Sequence, residues 1–357
     1  MNRYAVIMAG GGGTRFWPLS RQTTPKQVLN ISGNDVMINE TIKRYDGIIP
    51  FEHSFIVTNQ VQEKLIKDVL LEYVPHDNIL VEPAARNTAP CIIYAALVLM
   101  KKYGDGVMCV FPSDHYITDG QGFTNILEKA AVLAEQTDKL ITIGIKPTFP
   151  STGYGYINFN KYKPYGEDVF EVLEFVEKPN FDKAKQYIAS GNYLWNSGMF
   201  VWKVSVIIEN FKRFLPRIYD RIREFTEFIG TDKEKEVLEQ IYPTLQNISI
   251  DFGIMERSNE VLVIPGDFGW NDVGSWDALG AIFPPDENGN IVRADYVGVD
   301  TKNCIVYGSG RLIATVGLEN MIIVNTDDAL LVCPKDKAQD VKKIVDRLKE
   351  EKRTEYL

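Results

Sequence analysis

Cysteine is scarce. The 357 residues hold four, Cys91, Cys109, Cys304 and Cys333, widely scattered and with no Cys-x-x-Cys pair. That excludes a zinc ribbon or a disulfide framework, and the thiols read as small apolar side chains of a reducing compartment. Positive charge is also in deficit, with 39 Lys and Arg against 48 Asp and Glu and a net charge of −9. No basic stripe is present, which excludes a general nucleic-acid binder. A small anionic substrate stays compatible, because a few cations can be focused inside an acidic protein. No apolar run approaches the roughly 18 residues that span a bilayer. The chain enters an apolar run at Tyr4–Met8, so no leader is expected before the fold. The expectation is a cytoplasmic protein with neither nucleic acid nor membrane as partner. A convincing Ser-His-Asp or Cys-His arrangement is absent too, so the sequence offers no activated side-chain nucleophile.

What is present is alternation. Tyr4–Met8, Ser54–Thr58, Val107–Phe111 and Leu140–Ile145 are short apolar strands, separated by helical patterns at 37–45, 60–71, 88–101 and 123–135. Strand-then-helix order implies crossover connections and an α/β fold with a mostly parallel sheet covered on both faces. Tyr154–Phe159 and Val169–Val176 lie close in sequence with a turn between, so an antiparallel excursion makes the sheet mixed. The charged stretch 204–242 reads as a solvent-facing helical insert. Pro284-Pro285-Asp286 followed by Asn288-Gly289-Asn290 is the best boundary, dividing the chain into 1–285 and 286–357. Beyond it come short strands (304–307, 312–316, 321–325, 330–333) and a closing helix at 337–352, without a clean repeat.

The glycine loop carries the most information. Gly10-Gly11-Gly12-Gly13-Thr14-Arg15 follows the first strand, and four residues without Cβ let backbone amides approach phosphate oxygens. A Walker loop would end in Gly-Lys-Ser/Thr, and a dinucleotide fingerprint would need glycine where Arg15 stands. Two cations, Arg15 and Lys26, flank this loop, which suits a triphosphate whose leaving pyrophosphate gains charge. Alone, Lys26 would read as a surface lysine.

Gly-rich loop, Thr14-Arg15, Pro18-Leu19 and Pro25-Lys26 together resemble the signature of sugar-phosphate nucleotidyltransferases. Phe16-Trp17-Pro18-Leu19-Ser20-Arg21 with Pro25-Lys26-Gln27 is similar, more narrowly, to the short, monofunctional mannose-1-phosphate guanylyltransferases. The resemblance implies a Rossmann-like catalytic domain and a C-terminal truncated left-handed β-helix with a closing helix, often used for a homodimer. It implies GTP and a sugar 1-phosphate as substrates, with Mg2+ as cofactor. Longer relatives carry a fused isomerase domain, an activity not expected here. Rivals within the class are dTDP-glucose or GDP-heptose synthesis, and outside it a non-catalytic regulatory relative that binds nucleotide sugars.

Residue by residue, the resemblance puts Gly10, Gly11, Gly12, Gly13 and Thr14 around the phosphates. Glu82, Arg86, Asn87, Thr88 and Ser113 fall on the nucleotide, and Arg15 and Lys26 on the leaving group. Asp114 (in Phe111-Pro112-Ser113-Asp114-His115) and Asp272 (in Gly269-Trp270-Asn271-Asp272) become the magnesium ligands, with Lys178 at the sugar phosphate. Gly155, Glu177 and Asn196 become the sugar contacts. Guanine suits Glu82, because one carboxylate can accept from N1–H and the exocyclic amine together. Asn87 and Thr88 could equally cap the next helix, either aspartate could serve a turn, and His115 and Asp251 read as structural.

Overall fold

The computed structural model describes all residues, 1–357. The first part contains β1 (Arg3–Met8), α1 (Met37–Lys43), β2 (Ser54–Asn59), α2 (Glu63–Val69), β3 (Ile79–Glu82), α3 (Thr88–Tyr103), β4 (Val107–Pro112), β5 (Tyr116–Ile117) and α4 (Gly120–Gln136). It continues with β6 (Leu140–Ile145), β7 (Tyr156–Gly166), β8 (Val169–Val176), α5 (Phe181–Ser190), β9 (Tyr193–Lys203), α6 (Val204–Phe214), α7 (Pro216–Ile222), α8 (Glu234–Ile241), β10 (Val261–Gly266) and β11 (Trp270–Asn271).

Nine of these strands form one sheet in the order β3-β2-β1-β4-β9-β6-β10-β8-β7. Only β8 and β9 run against the other seven, so the sheet is mixed and mostly parallel. Alternate side chains of β1 show why both faces must be covered. Tyr4 and Val6 enter one core with α3, whereas Ala5 and Ile7 enter another with α1 and α4. A strand apolar at every position can only sit between two layers.

One expectation changes. The stretch 204–242 is not solvent-facing. Val204, Ile207, Phe211, Ile218, Ile222, Phe225, Leu238 and Tyr242 are buried in the largest core, against α3. Its many charges occupy the outer side of α6–α8, and an average over the segment hides that amphipathic split. A strand not read from the sequence is β9, 11 residues set antiparallel between β4 and β6, with Phe200 and Trp202 buried.

The last part holds β12 (Ile291–Arg293), β13 (Tyr296–Val299), β14 (Ile305–Gly308), β15 (Ile313–Val316), β16 (Met321–Asn325), β17 (Leu330–Pro334) and α9 (Val341–Glu350). Strands β12, β14 and β16 stack in parallel, as do β13 and β15, and a parallel bridge joins Lys302 to Glu319 on a third side. This is a short β-helix. Ile291 stands beside Ile305 and Ile305 beside Ile322, so one coil takes 14 residues and the next 17.

The coil does not fold apart from the glycine-loop region. One core joins Phe16, Trp17, Met37, Val273 and Trp276 to Ile305, Ile322, Leu331, Ala338, Val341 and Leu348. Trp17 Nε1 and Arg21 Nη1 both donate to the carbonyl of Tyr356, at 2.9 and 2.6 Å.

Candidate active site

In the order β3-β2-β1-β4, consecutive strands step outward on one side of β1 and then jump to the other. The crevice at the carboxyl ends of β1 and β4 is therefore a topological switch point, where open α/β sheets bind ligands. The loop after β1 supplies Gly10–Arg15, and the loop after β4 supplies Ser113 and Asp114.

The glycine loop is held from behind. Gln27 Nε2 donates to the carbonyls of Ala9 and Gly11 (2.8 and 3.1 Å), and Gln62 Nε2 donates to Gly11 O (3.2 Å). Thr58 Oγ1 donates to Ala9 O and Ser20 Oγ to Gly13 O. The N–H groups of Gly10 to Gly13 have no protein acceptor. Fixing the carbonyls outward fixes the peptide planes, leaving a row of amide donors for an anion. Gly13 sits at φ 57°, and a Cβ there would lie 2.5 Å from Lys26 Cβ, so no other residue fits. Gln27, adjacent to the expected lysine, had no role assigned from sequence; its amide is what shapes the loop.

Lys26 is buried, at 3% exposure. Its Nζ donates to Asp114 O (2.7 Å), Asp114 Oδ2 (3.0 Å) and Asp272 O (2.7 Å). All three ammonium protons are thus committed to protein oxygens, and Lys26 joins the two aspartates, 158 positions apart in sequence, instead of standing as an open cation. The pairing of β5 with β11, Asn271 beside Tyr116, brings their loops together. Asp272 Oδ1 accepts from Tyr154 Oη (2.9 Å) and from the Gly274 amide (3.1 Å). The next residue, Val273, is buried at φ 46°, a costly conformation for a β-branched residue and typical of a site held under constraint. Burial would raise the Asp114 carboxyl pKa, but Lys26 and the neighbouring polar groups hold it below its ordinary value.

The two carboxylates are an all-oxygen, hard donor pair. No cluster of three or more His, Cys, Asp or Glu side chains suits a metal. One or two carboxylates plus phosphate oxygens and water is the usual set for magnesium, so the residues fit such an ion. His115 stays outside it. Trp270 Nε1 donates to His115 Nδ1 (3.0 Å), and burial pushes its pKa down to about 4, so the ring is neutral and structural.

A cavity of about 540 Å3 opens beside the loop. At one end lie Gly10, Gly11, Glu82, Arg86, Asn87 and Thr88; at the other Gly155, Glu177, Lys178, Asn196 and Asp272. Glu82 is 8% exposed and accepts from the Tyr242 hydroxyl. Burial raises its pKa to about 7, against the lowering effect of that hydrogen bond. Arg86 donates to the carbonyl of Pro243. Asn87 caps α3, its Oδ1 accepting from Thr88 N at 2.9 Å, and Thr88 Oγ1 accepts from Ile250 N.

At the Asp272 end of the cavity a Cβ on Gly155 would lie 2.7 Å from Glu177 Oε2 and 3.5 Å from Asn196 Cβ, so these three meet. Asn196 is turned inward by an irregularity between β6 and β9, where Ser197 Oγ donates to Ile143 O (2.6 Å) and Gly198 takes φ 70°. Asn196 Nδ2 donates to Asp251 Oδ1 (2.7 Å), the bracing arrangement. Lys178, largely exposed at φ 43°, pairs with Glu177.

Seven expected residues lie off this cavity wall, the buried Lys26 among them. Ser113 is buried, with its backbone bonded to Met8 O. Gly12 and Gly13, both partly exposed, do not line it. Asp114, a third exposed, is drawn under the floor by Lys26. Thr14 and Arg15 face a second cleft of about 1060 Å3, which shares Tyr154, Lys178 and Asp272 with the first.

The model of the family described as nucleotidyl transferase matches residues 4–289, and a mannose-phosphate isomerase/GMP-like β-helix model matches 294–348. The chain is 38% identical to mannose-1-phosphate guanylyltransferase of Escherichia coli K12 over 99% of its own length and 75% of the relative's. It is 41% identical to xanthan biosynthesis protein XanB of Xanthomonas campestris over 98% of this chain and 74% of that one. A crystal structure from Thermus thermophilus, described as a mannose-1-phosphate geranyltransferase, superposes with a TM-score of 0.87 at 32% identity, covering 98% of this chain and 100% of the other. The chain belongs to the mannose-1-phosphate guanylyltransferase family of nucleotidyl transferases.

Proposed function

We propose that this site joins GTP to mannose 1-phosphate by in-line attack of a sugar-phosphate oxygen on the α-phosphorus, giving GDP-mannose and pyrophosphate. The observation that carries this reading is one continuous cavity. It runs from a buried carboxylate, past the bare amides of Gly10 and Gly11 and past Asp272, with Asp114 beneath its floor, to a polar pocket of Gly155, Glu177 and Asn196. A phosphate oxygen is already ionised at neutral pH and needs no general base, in keeping with a His115 that is neutral and bonded to Trp270. Catalysis is then positioning and charge neutralisation.

The glycine amides receive the triphosphate. Arg15, in the adjoining cleft, meets the departing pyrophosphate. Lys26 acts from beneath, holding Asp114 and Asp272 together. Those two aspartates hold Mg2+, which when bound supplies charge to the reacting phosphates. Lys178 steadies the nucleophile and Asn196 the sugar, with Asp251 bracing Asn196. Glu82 reads the guanine edge while Asn87 and Thr88 set the start of α3.

No helix is long and apolar enough to cross a membrane. A cytoplasmic location belongs to the same reading and is supported by four cysteines that form no disulfide, as a reducing compartment would keep them. A homodimer through the coil is supported by outward-facing Val297, Val299, Val316 and Val332. Pyrophosphate release measured for GTP, dTTP and UTP with several sugar 1-phosphates tests the reading. Turnover with dTTP and glucose 1-phosphate above that with GTP and mannose 1-phosphate would replace it.

A further inference from the structure

Arg15 is tied to the other end of the chain. Its Nη1 donates to Gln339 Oε1 at 2.9 Å, and Nε2 of the same amide donates to Ser275 Oγ at 2.7 Å. Ser275, almost wholly buried, donates in turn to the Asp277 carboxylate. One side chain of the coil therefore joins the glycine loop to the loop that begins at Asp272.

Its position is set by rigid packing on both sides. Gln339 lies in the turn Lys335–Asp340, between Ala338 and Val341. Both are buried in the same core as Phe16 and Trp276, the direct neighbours of Arg15 and Ser275. The second cleft runs between these parts, lined by Arg15, Lys178, Asp272, Gln339 and Lys342.

We propose that Gln339 is a positioning residue for pyrophosphate, holding the Arg15 guanidinium over this cleft, where the leaving group is bound before it departs. This rests on the nucleotidyl-transfer reading above. The chemistry explains why an amide stands here. A carbonyl acceptor takes one N–H of a guanidinium that has five and leaves its full charge to meet a phosphate. A carboxylate would hold Arg15 as firmly but cancel that charge, and could not donate to Ser275.

Gln339→Glu therefore separates bracing from charge-preserving positioning. Calorimetric binding of pyrophosphate with magnesium should weaken about fivefold in Gln339→Ala and tenfold or more in Gln339→Glu, the scale of one charge-assisted hydrogen bond. Gln339 is exposed, so melting temperatures should stay near wild type. In the reverse reaction KM for pyrophosphate should rise while KM for GDP-mannose stays constant. Adding Gln339→Ala to Arg15→Ala should cost nothing further. Wild-type pyrophosphate affinity in the Gln339→Glu variant, or independent losses in the double variant, would overturn the proposal. So would equal rises in both KM values. The calorimetry does not depend on base or sugar. A chain with this pattern but no turnover of GTP with mannose 1-phosphate would sink only the substrate assignment. Turnover without the pattern would sink only the role of Gln339.

Discussion

Two regions around the main cavity use the same functional group in opposite ways. At one end of the cavity, Glu82 is buried with a phenol as its hydrogen-bond partner, and its pKa climbs to about 7. Beneath the floor near Asp272, Asp114 is held below its ordinary pKa by a buried ammonium. Surroundings, not residue type, decide that one carboxylate exchanges a proton near neutrality while the other remains an anion. The first is suited to reading hydrogen-bond donors, the second to holding a cation.

Removing Lys26 attacks the anionic end and should have the largest effect. Lys26→Ala is expected to lower turnover at least a hundredfold, about 3 kcal/mol of transition-state stabilisation. It should also lower the melting temperature, because Asp114 loses its counter-charge. Pyrophosphate release at near-normal rate in a folded Lys26→Ala chain would break the comparison. Asp272→Asn should come next, with the magnesium requirement moved to higher concentration by at least about tenfold. A magnesium titration that superimposes on wild type would remove Asp272 from the ion site.

Glu82→Gln probes the other end. On the proposed role of Glu82, guanine is held by the carboxylate, so KM for GTP should fall as pH rises through about 7 in wild type and be flat in Glu82→Gln. The variant should also lose preference for GTP over ATP by about 1–3 kcal/mol. Stability moves the opposite way. The folded pKa of Glu82 is raised above its ordinary 4.5, so its contribution is complete below 4.5 and is lost as pH climbs through 7. Glu82→Gln should therefore gain on wild type in melting temperature across that window. Parallel pH curves for the two proteins would show that Glu82 does not titrate there. Smallest of all, Asn87→Ala should cost about 1 kcal/mol in chemical denaturation through loss of the α3 cap. A large rise in KM for GTP with unchanged stability would instead make Asn87 a base contact.

Much of this was legible in the chain itself. Four glycines after an apolar strand, two flanking cations and two aspartates in distinctive strings led to the site. Local chemistry is written locally, and short strands alternating with helices have few ways to pack. The reversed strand β9 was hidden because Tyr193–Lys203 carries a glycine and an asparagine at its irregularity. The coils of the β-helix were hidden because they differ in length, 14 residues and then 17, which erases a fixed period. The core side of α6–α8 was hidden by the charges on its outer side.

By itself the sequence determined six of the nine strands of the main sheet, the bare glycine loop and the two aspartates that Lys26 joins, since these follow from side-chain type and spacing. Only the tertiary structure decided who meets whom. Lys26 faces two aspartates and not solvent, Gln27 and Gln62 aim the loop amides, Tyr242 partners Glu82, and Gln339 reaches Arg15 across 324 positions. Each is a contact between segments far apart in the chain, fixed by how whole layers pack, and no local pattern of residues encodes that distance.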